Sequence, residues 1–251
     1  MEDQLPRSAT PASLFAKLLD ALLLYLFFLA SQGFTLLNLP LRLLGAQALR
    51  DHPWIVVYEG HLWELAFALG YIAIASRGNF SAYGLNLKDT RLSLRIFWRF
   101  CLIFLLVTIA WQVIPALMSH QTELGNFGPP TQINILAWLA FEWVFVGIVE
   151  EIMFRGLIQT QLARTWTGIW NFRGLEIPTA GVVTAVLFCL AHINPLHPHI
   201  YWQQQVLAFG LGLYYSIVRH RTGSLLNPIL AHNAGDGMIV TALYMLYFSL
   251  R

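Results

Sequence analysis

Charge is what this chain has least of. Asp, Glu, Lys and Arg make up 11% of 251 residues, against about 25% in a soluble domain. Cysteine is nearly absent too. Only Cys101 and Cys189 occur, both inside apolar runs, so there is no disulfide framework and no thiolate zinc site to build; packing is the role they suggest. The formal net charge of +2 is too small to point to a nucleic-acid partner. The sequence holds no G-x-x-x-x-G-K-[ST] loop, which argues against ATP use, and no H-E-x-x-H, which argues against the common zinc-protease helix. No Gly-x-Ser-Gly-type nucleophile lies in an apolar segment. Repeats, low-complexity tracts and an extramembrane domain are equally lacking.

What the chain does have is long hydrophobic runs. Hydrophobic residues reach 57% and the mean hydropathy is +0.59. Apolar runs occupy Leu14–Leu37, Trp54–Ser76, Ile96–Met118, Ile133–Ile148, Ile177–Ala191, Val206–Val218 and Leu225–Phe248. A spanning helix needs about 20 residues, and these runs are too many for one soluble core. The expected fold is therefore an all-α, polytopic transmembrane helical bundle of about 7–8 membrane segments around an intramembrane cavity. Residues 1–132 read as N-terminal transmembrane helices and 133–251 as the core that carries the chemistry. Asp20 and the apolar sequence continuing past it identify the first run as a retained span rather than a cleaved signal. The run 177–191 is short, about 22 Å as a helix, and could begin in the interface, extend past Pro195 or stop within the membrane.

Lys and Arg are distributed unevenly. The connection 77–95 holds Arg77, Lys88, Arg91 and Arg95, Arg164 and Arg173 lie between the fourth and fifth runs, and Arg219 and Arg221 between the sixth and seventh. The connections 119–132 and 194–202 have neither residue. Seven alternating spans place these three basic connections, and the N-terminus, on the cytoplasmic side. The expected setting is an integral, multi-pass protein of a bacterial inner membrane, in contact with membrane lipids.

Against this apolar background a few ionisable residues stand out. A charged side chain at a helix centre costs about 2.5–3.5 kcal/mol on insertion scales, so those that remain in spans face a protein-lined or watery cavity. Val149–Gly156 reads V-E-E-I-M-F-R-G. Glu151 and Arg155 are four apart and share a helical face, which suits an ion pair, whereas Glu150 lies about 100° round the helix. Glu151 is thus expected to be neutralised and Glu150 free for acid–base work; the alternative is a solvated helix end. Phe188 and His192 share a face in the next run, as do His232 and Asp236 in the last. Glu150 lies about 25 Å down a helix beginning at Ile133, so one long tilted helix over 133–163 best brings it level with His192. Glu59, His61 and Glu64 are read as an interfacial start to the second span; in a relay they would lead toward Glu142 and Glu150.

The three motifs E-E-x-x-x-R, F-x-x-x-H and H-x-x-x-(N/D), in this order, resemble the CPBP family of intramembrane proteases, which includes type II CaaX prenyl endopeptidases and bacteriocin-processing, Abi-type proteins. The resemblance covers about Glu142 to Tyr247. Phe154-Arg155-Gly156, Arg221-Thr222-Gly223-Ser224 and, more weakly, Tyr83-Gly84-Leu85 add to it. It implies a glutamate-dependent endopeptidase acting on a membrane-bound or lipid-modified peptide or protein. In it Glu150 activates water, His192 positions or deprotonates that water, and His232 with Asp236 polarises the carbonyl and holds the oxyanion. Glu151 and Arg155 support them. The prenyl proteases have Asn where this chain has Asp236; here Asp236 either stays protonated, or orients His232, or leaves donation to Asn233. No cofactor is expected. Glu150, His192 and His232 could offer three zinc ligands with one open position, the less favoured option. The competing class is a non-catalytic membrane protein, an immunity-type binding partner or a proton-coupled transporter.

Overall fold

The computed structural model describes residues 13–37, 39–193 and 200–251; the expected connection 194–202 falls mostly outside them, as does Pro195. Among the described residues there are eight helices: α1 Leu14–Leu37, α2 Leu39–Asp51, α3 Trp54–Ser76, α4 Thr90–Ser119, α5 Gln132–Leu162, α6 Thr179–Ala191, α7 Trp202–Thr222 and α8 Leu226–Ser249. This is a helical membrane bundle, and the seven apolar runs each fall within or nearly on one helix. Among the described residues three helices, α1, α4 and α5, are both long and apolar enough to cross a membrane by length and composition, fewer than the 7–8 segments expected. The shortfall has a physical source. α3, α7 and α8 are long, but Glu59, His61 and Glu64, Gln203–Gln205, and Asn227, His232, Asn233 and Asp236 lower their hydropathy. α6 is apolar but has only 13 residues.

α3 and α5 run parallel. Their starts are fastened by Asn134, which is fully buried: its Oδ1 accepts from Trp54 Nε1 at 3.0 Å and lies 2.8 Å from His52 Nδ1, and its Nδ2 donates to Asp51 O and Pro129 O. Further along, Tyr58 donates to Ala137 O. α1 returns antiparallel to α3, with Gln32 against Glu64 and Phe27 against Phe67 and Tyr71, and also touches α5, with Phe28 against Phe154 and Asp20 accepting from Thr165 just past its end.

α5 is continuous, as the level of Glu150 requires, and is interrupted by π-helical turns at Phe141–Phe145 and Ile152–Ile158. Each extra residue in such a turn shifts the faces that follow, and π turns collect at functional sites. Between α5 and α6 lies a feature the apolar run concealed, a hairpin of β1 (Ile169–Phe172) and antiparallel β2 (Leu175–Pro178). Its two-residue turn, Arg173-Gly174, has φ of 51° and 84°, the doubly left-handed geometry that matches strand twist. The run expected as helix from Ile177 thus begins as strand, and α6 starts at Thr179. At this same end, Tyr83 is buried and accepts from Gln161 at 2.6 Å, while Gly84 O accepts from Leu225 N and Ser224 Oγ donates to Asn86 O. The Tyr83-Gly84-Leu85 loop therefore clasps the turn between α7 and α8.

Candidate functional site

The site forms where α5, α8, α3 and α6 meet, and α5 supplies its floor. Glu151 and Arg155 have no exposed side-chain surface, and Nη1 of Arg155 lies 2.8 Å from Oε1 of Glu151. A solvated helix end is thereby excluded. Nε and Nη2 of Arg155 find no hydrogen-bond acceptor; the guanidinium lies instead 4.3 Å from the Phe188 ring centroid and 5.3 Å from that of Tyr215. A desolvated guanidinium gains about 2 kcal/mol or more over an aromatic face, which helps offset the unmade hydrogen bonds.

α8 comes close enough to use that floor because Gly147 leaves room. A Cβ there would lie 2.9 Å from both His232 Cβ and Ile229 O. Asn233 seals the contact, its Oδ1 accepting from Gly147 N at 2.7 Å and its Nδ2 donating to Val144 O at 3.0 Å. Asn233 thus ties α8 to the α5 backbone beside the first π turn, a supporting placement.

His232 is the hub. Its ring is stacked on Tyr215 at 5.2 Å and 14° and is 5% exposed. Nδ1 lies 2.7 Å from Glu151 Oε1, Nε2 lies 3.1 Å from Asp236 Oδ2, and Nε2 is 3.6 Å from Glu150 Oε2. Glu151 is already paired with Arg155, so Nδ1 carries a proton and donates it. Nε2 and Asp236 Oδ2 then share one proton: imidazolium with carboxylate, or imidazole with carboxyl. Asp236 is the more open of the two, at 30% exposure.

Glu150 faces away from Arg155, as its place on the helix requires. Its Oε1 lies 3.3 Å from His61 Nε2, and its Oε2 is buried without a hydrogen-bond partner. His61 therefore sits at the site. The clue in the sequence was a histidine flanked by Glu59 and Glu64 in an apolar run. Glu64 is 2% exposed and held by Gln32 at 2.9 Å. Glu59 stays apart, accepting from Trp63. Glu142 is within electrostatic range of Asp236, Glu150, His232 and His61.

His192 follows α6 directly. Its Nδ1 donates to Phe188 O at 2.8 Å and its ring meets Phe188 edge-on at 4.7 Å. With the proton fixed on Nδ1, Nε2 is the nitrogen left to act on water. No hydrogen bond joins it to Glu150, although the two are within electrostatic range. Among the described residues no group of three or more His, Cys, Asp or Glu side chains is arranged to hold a metal ion. Cys189 donates to Gln205 Oε1 at 2.7 Å, bracing α6 against α7, and both cysteines are free thiols.

This constellation can move protons. An unpartnered carboxylate oxygen faces an imidazole that shares a proton with a second carboxyl, inside a bundle of membrane helices. Comparisons with known proteins bear on its identity. A family model described as "Type II CAAX prenyl endopeptidase Rce1-like" matches residues 132–238, which takes in Glu150, Glu151, Arg155, His192, His232 and Asp236. No curated protein and no solved structure matched the chain. The chain is an integral membrane protein, and over residues 132–238 it is similar to the Rce1-like type II CAAX prenyl endopeptidases.

Proposed function

We propose that the protein is an intramembrane endopeptidase in which Glu150 activates water. The observation that carries this reading is the buried, unpartnered Oε2 of Glu150, 3.6 Å from His232 Nε2. A water between Oε2 and His192 Nε2 would give its proton to Glu150 as its oxygen attacks the scissile carbonyl. The proton shared by His232 and Asp236 supplies the donor for the oxyanion, and donors fixed in a dry site are worth more than in water. The proton on Glu150 then passes to the leaving amine. Glu151 and Arg155 hold the Nδ1 side of His232 so that Nε2 faces the reaction. Carboxylates and imidazoles suffice for each step, so the proposed chemistry takes no metal.

The substrate class is a membrane-associated peptide, with a lipid-modified C-terminal segment favoured by the family description. The basic connections support a cytoplasmic placement for one end of the bundle. Lys17 lies over Trp166, Arg164 reaches Tyr83, the Arg219 side chain packs on Gly84, and His220 meets Glu176 of β2. That end carries the N-terminal end of α1. A bacterial inner membrane suits this arrangement.

The Gln32–Glu64 and His61–Glu150 contacts favour proton-coupled transport as a second reading. One comparison separates the two. Membrane proteomes of cells carrying wild type or Glu150→Gln should differ by peptides ending at new cleavage sites, present only with wild type. Identical proteomes together with lost proton-coupled flux would support transport instead.

A further inference from the structure

His61 lies on α3, outside the matched segment, and the proposed reaction gives it no task. Its geometry does. Nδ1 is 2.8 Å from Val57 O within its own helix. A carbonyl only accepts, so Nδ1 carries a proton and the ring orientation is fixed. Phe141 of α5 clamps the ring edge-on, at 4.8 Å and 88°. Nε2 is thereby aimed at Glu150 Oε1, 3.3 Å away, with both side chains mostly buried. Behind it, one helical turn along α3, Glu64 is held by Gln32 of α1.

We propose that His61 is a positioning residue for Glu150: by engaging Oε1 it turns Oε2, the oxygen with no partner, toward His232 and the water to be activated. The inference rests on the endopeptidase reading and extends the site beyond the family segment. The two oxygens of a free carboxylate are equivalent and exchange by rotation about Cγ–Cδ. Engaging one of them removes that equivalence and leaves a single basic atom at a fixed place. Because Nδ1 already holds its proton, Nε2 and Oε1 share just one more. When that proton rests on His61, Glu150 is an ionised base with Oε2 free. The titratable groups around the pair are Glu64 on α3, Glu142 on α5, His192 after α6, and His232 and Asp236 on α8, all linked to it or to each other electrostatically. A positively charged His61 is the natural complement to so many carboxyls.

Two variants separate positioning from packing. His61→Phe keeps a ring against Phe141 and removes the donor; His61→Gln restores a side-chain N–H near the position of Nε2. With a farnesylated, CaaX-terminated peptide carrying a fluorophore–quencher pair, His61→Phe should lower kcat about 10- to 100-fold, the usual cost of a misplaced catalytic group, with KM within about twofold. His61→Gln should recover much of that loss. Equal loss in both variants, or an unchanged kcat in His61→Phe, would overturn the inference. A second arm needs no substrate. In protein labelled with 15N in its histidine rings, the His61 Nε2 resonance, assigned by its absence in His61→Phe, should shift in Glu150→Gln. If it does not move, the contact is absent and the inference fails whatever the activity. If it moves but Glu150→Gln still cleaves, the contact stands, and it is the endopeptidase reading that falls and with it the catalytic role of His61.

Discussion

α4 and α5 are of nearly equal length, and both contain π turns, yet they are used in opposite ways. α4 is the more apolar of the two and the less buried. It presents Trp98, Leu102, Ile103 and Leu106 to the outside. α5 buries Glu151 and Arg155 completely. In water the more apolar helix would be the inner one. In lipid an apolar helix gains little by leaving the hydrocarbon, so the interior goes to the helix whose polar groups must find partners. Of these two helices, the less hydrophobic one is thus where the chemistry is.

That contrast can be broken most severely at Arg155. Arg155→Ala removes the cation that neutralises Glu151 and leaves a buried carboxylate facing His232 alone; breaking such a pair costs about 3–5 kcal/mol. Thermal unfolding in detergent should show the largest loss of any single substitution here. Gly147→Ala comes next. Its Cβ would meet Asn233, His232 and Ile229, and overpacking of this kind costs about 1–3 kcal/mol. It should also reduce activity, since His232 must move with α8. Asp236→Asn should leave stability nearly unchanged and alter the pH profile. An amide gives one N–H to Nε2 of a neutral His232 and keeps the other for the oxyanion without first gaining a proton, so activity should persist to higher pH than in wild type. A rate below wild type at every pH would show that the carboxylate form is needed. Smallest of all, Leu102→Ala and Leu106→Ala on the lipid face of α4 should shift stability by less than about 0.5 kcal/mol, as exposed sites usually do. A shift comparable to Gly147→Ala would mean that α4 packs against another chain.

The helices were legible in the sequence because each span is a run of apolar residues, and α3 matches its expected bounds at both ends. α1 does so as well. α2 and the hairpin were not. α2 has no sustained apolar run, and Ile177 and Pro178 of β2 continue the hydrophobicity of α6 without a break. The Glu151–Arg155 and His232–Asp236 pairs could be read from the i, i+4 spacing, because a helix fixes which of its own residues meet. The link from Glu151 to His232 joins positions 81 residues apart, and that from His61 to Glu150 spans 89. Such contacts depend on how helices pack, which local periodicity does not encode. The π turns, which set the faces of Glu142 and Arg155, left no signal in the composition of α5.

The central claim concerns the division of labour between two adjacent glutamates, and the most direct measurement compares Glu150→Gln with Glu151→Gln in purified protein. Each is assayed for peptide cleavage and for thermal stability. Glu150→Gln should fold like wild type and cleave nothing, since an amide cannot take the proton of water. Glu151→Gln should unfold at a markedly lower temperature, because Arg155 and His232 both lose their buried counter-charge. Full turnover by a stably folded Glu150→Gln would contradict the account.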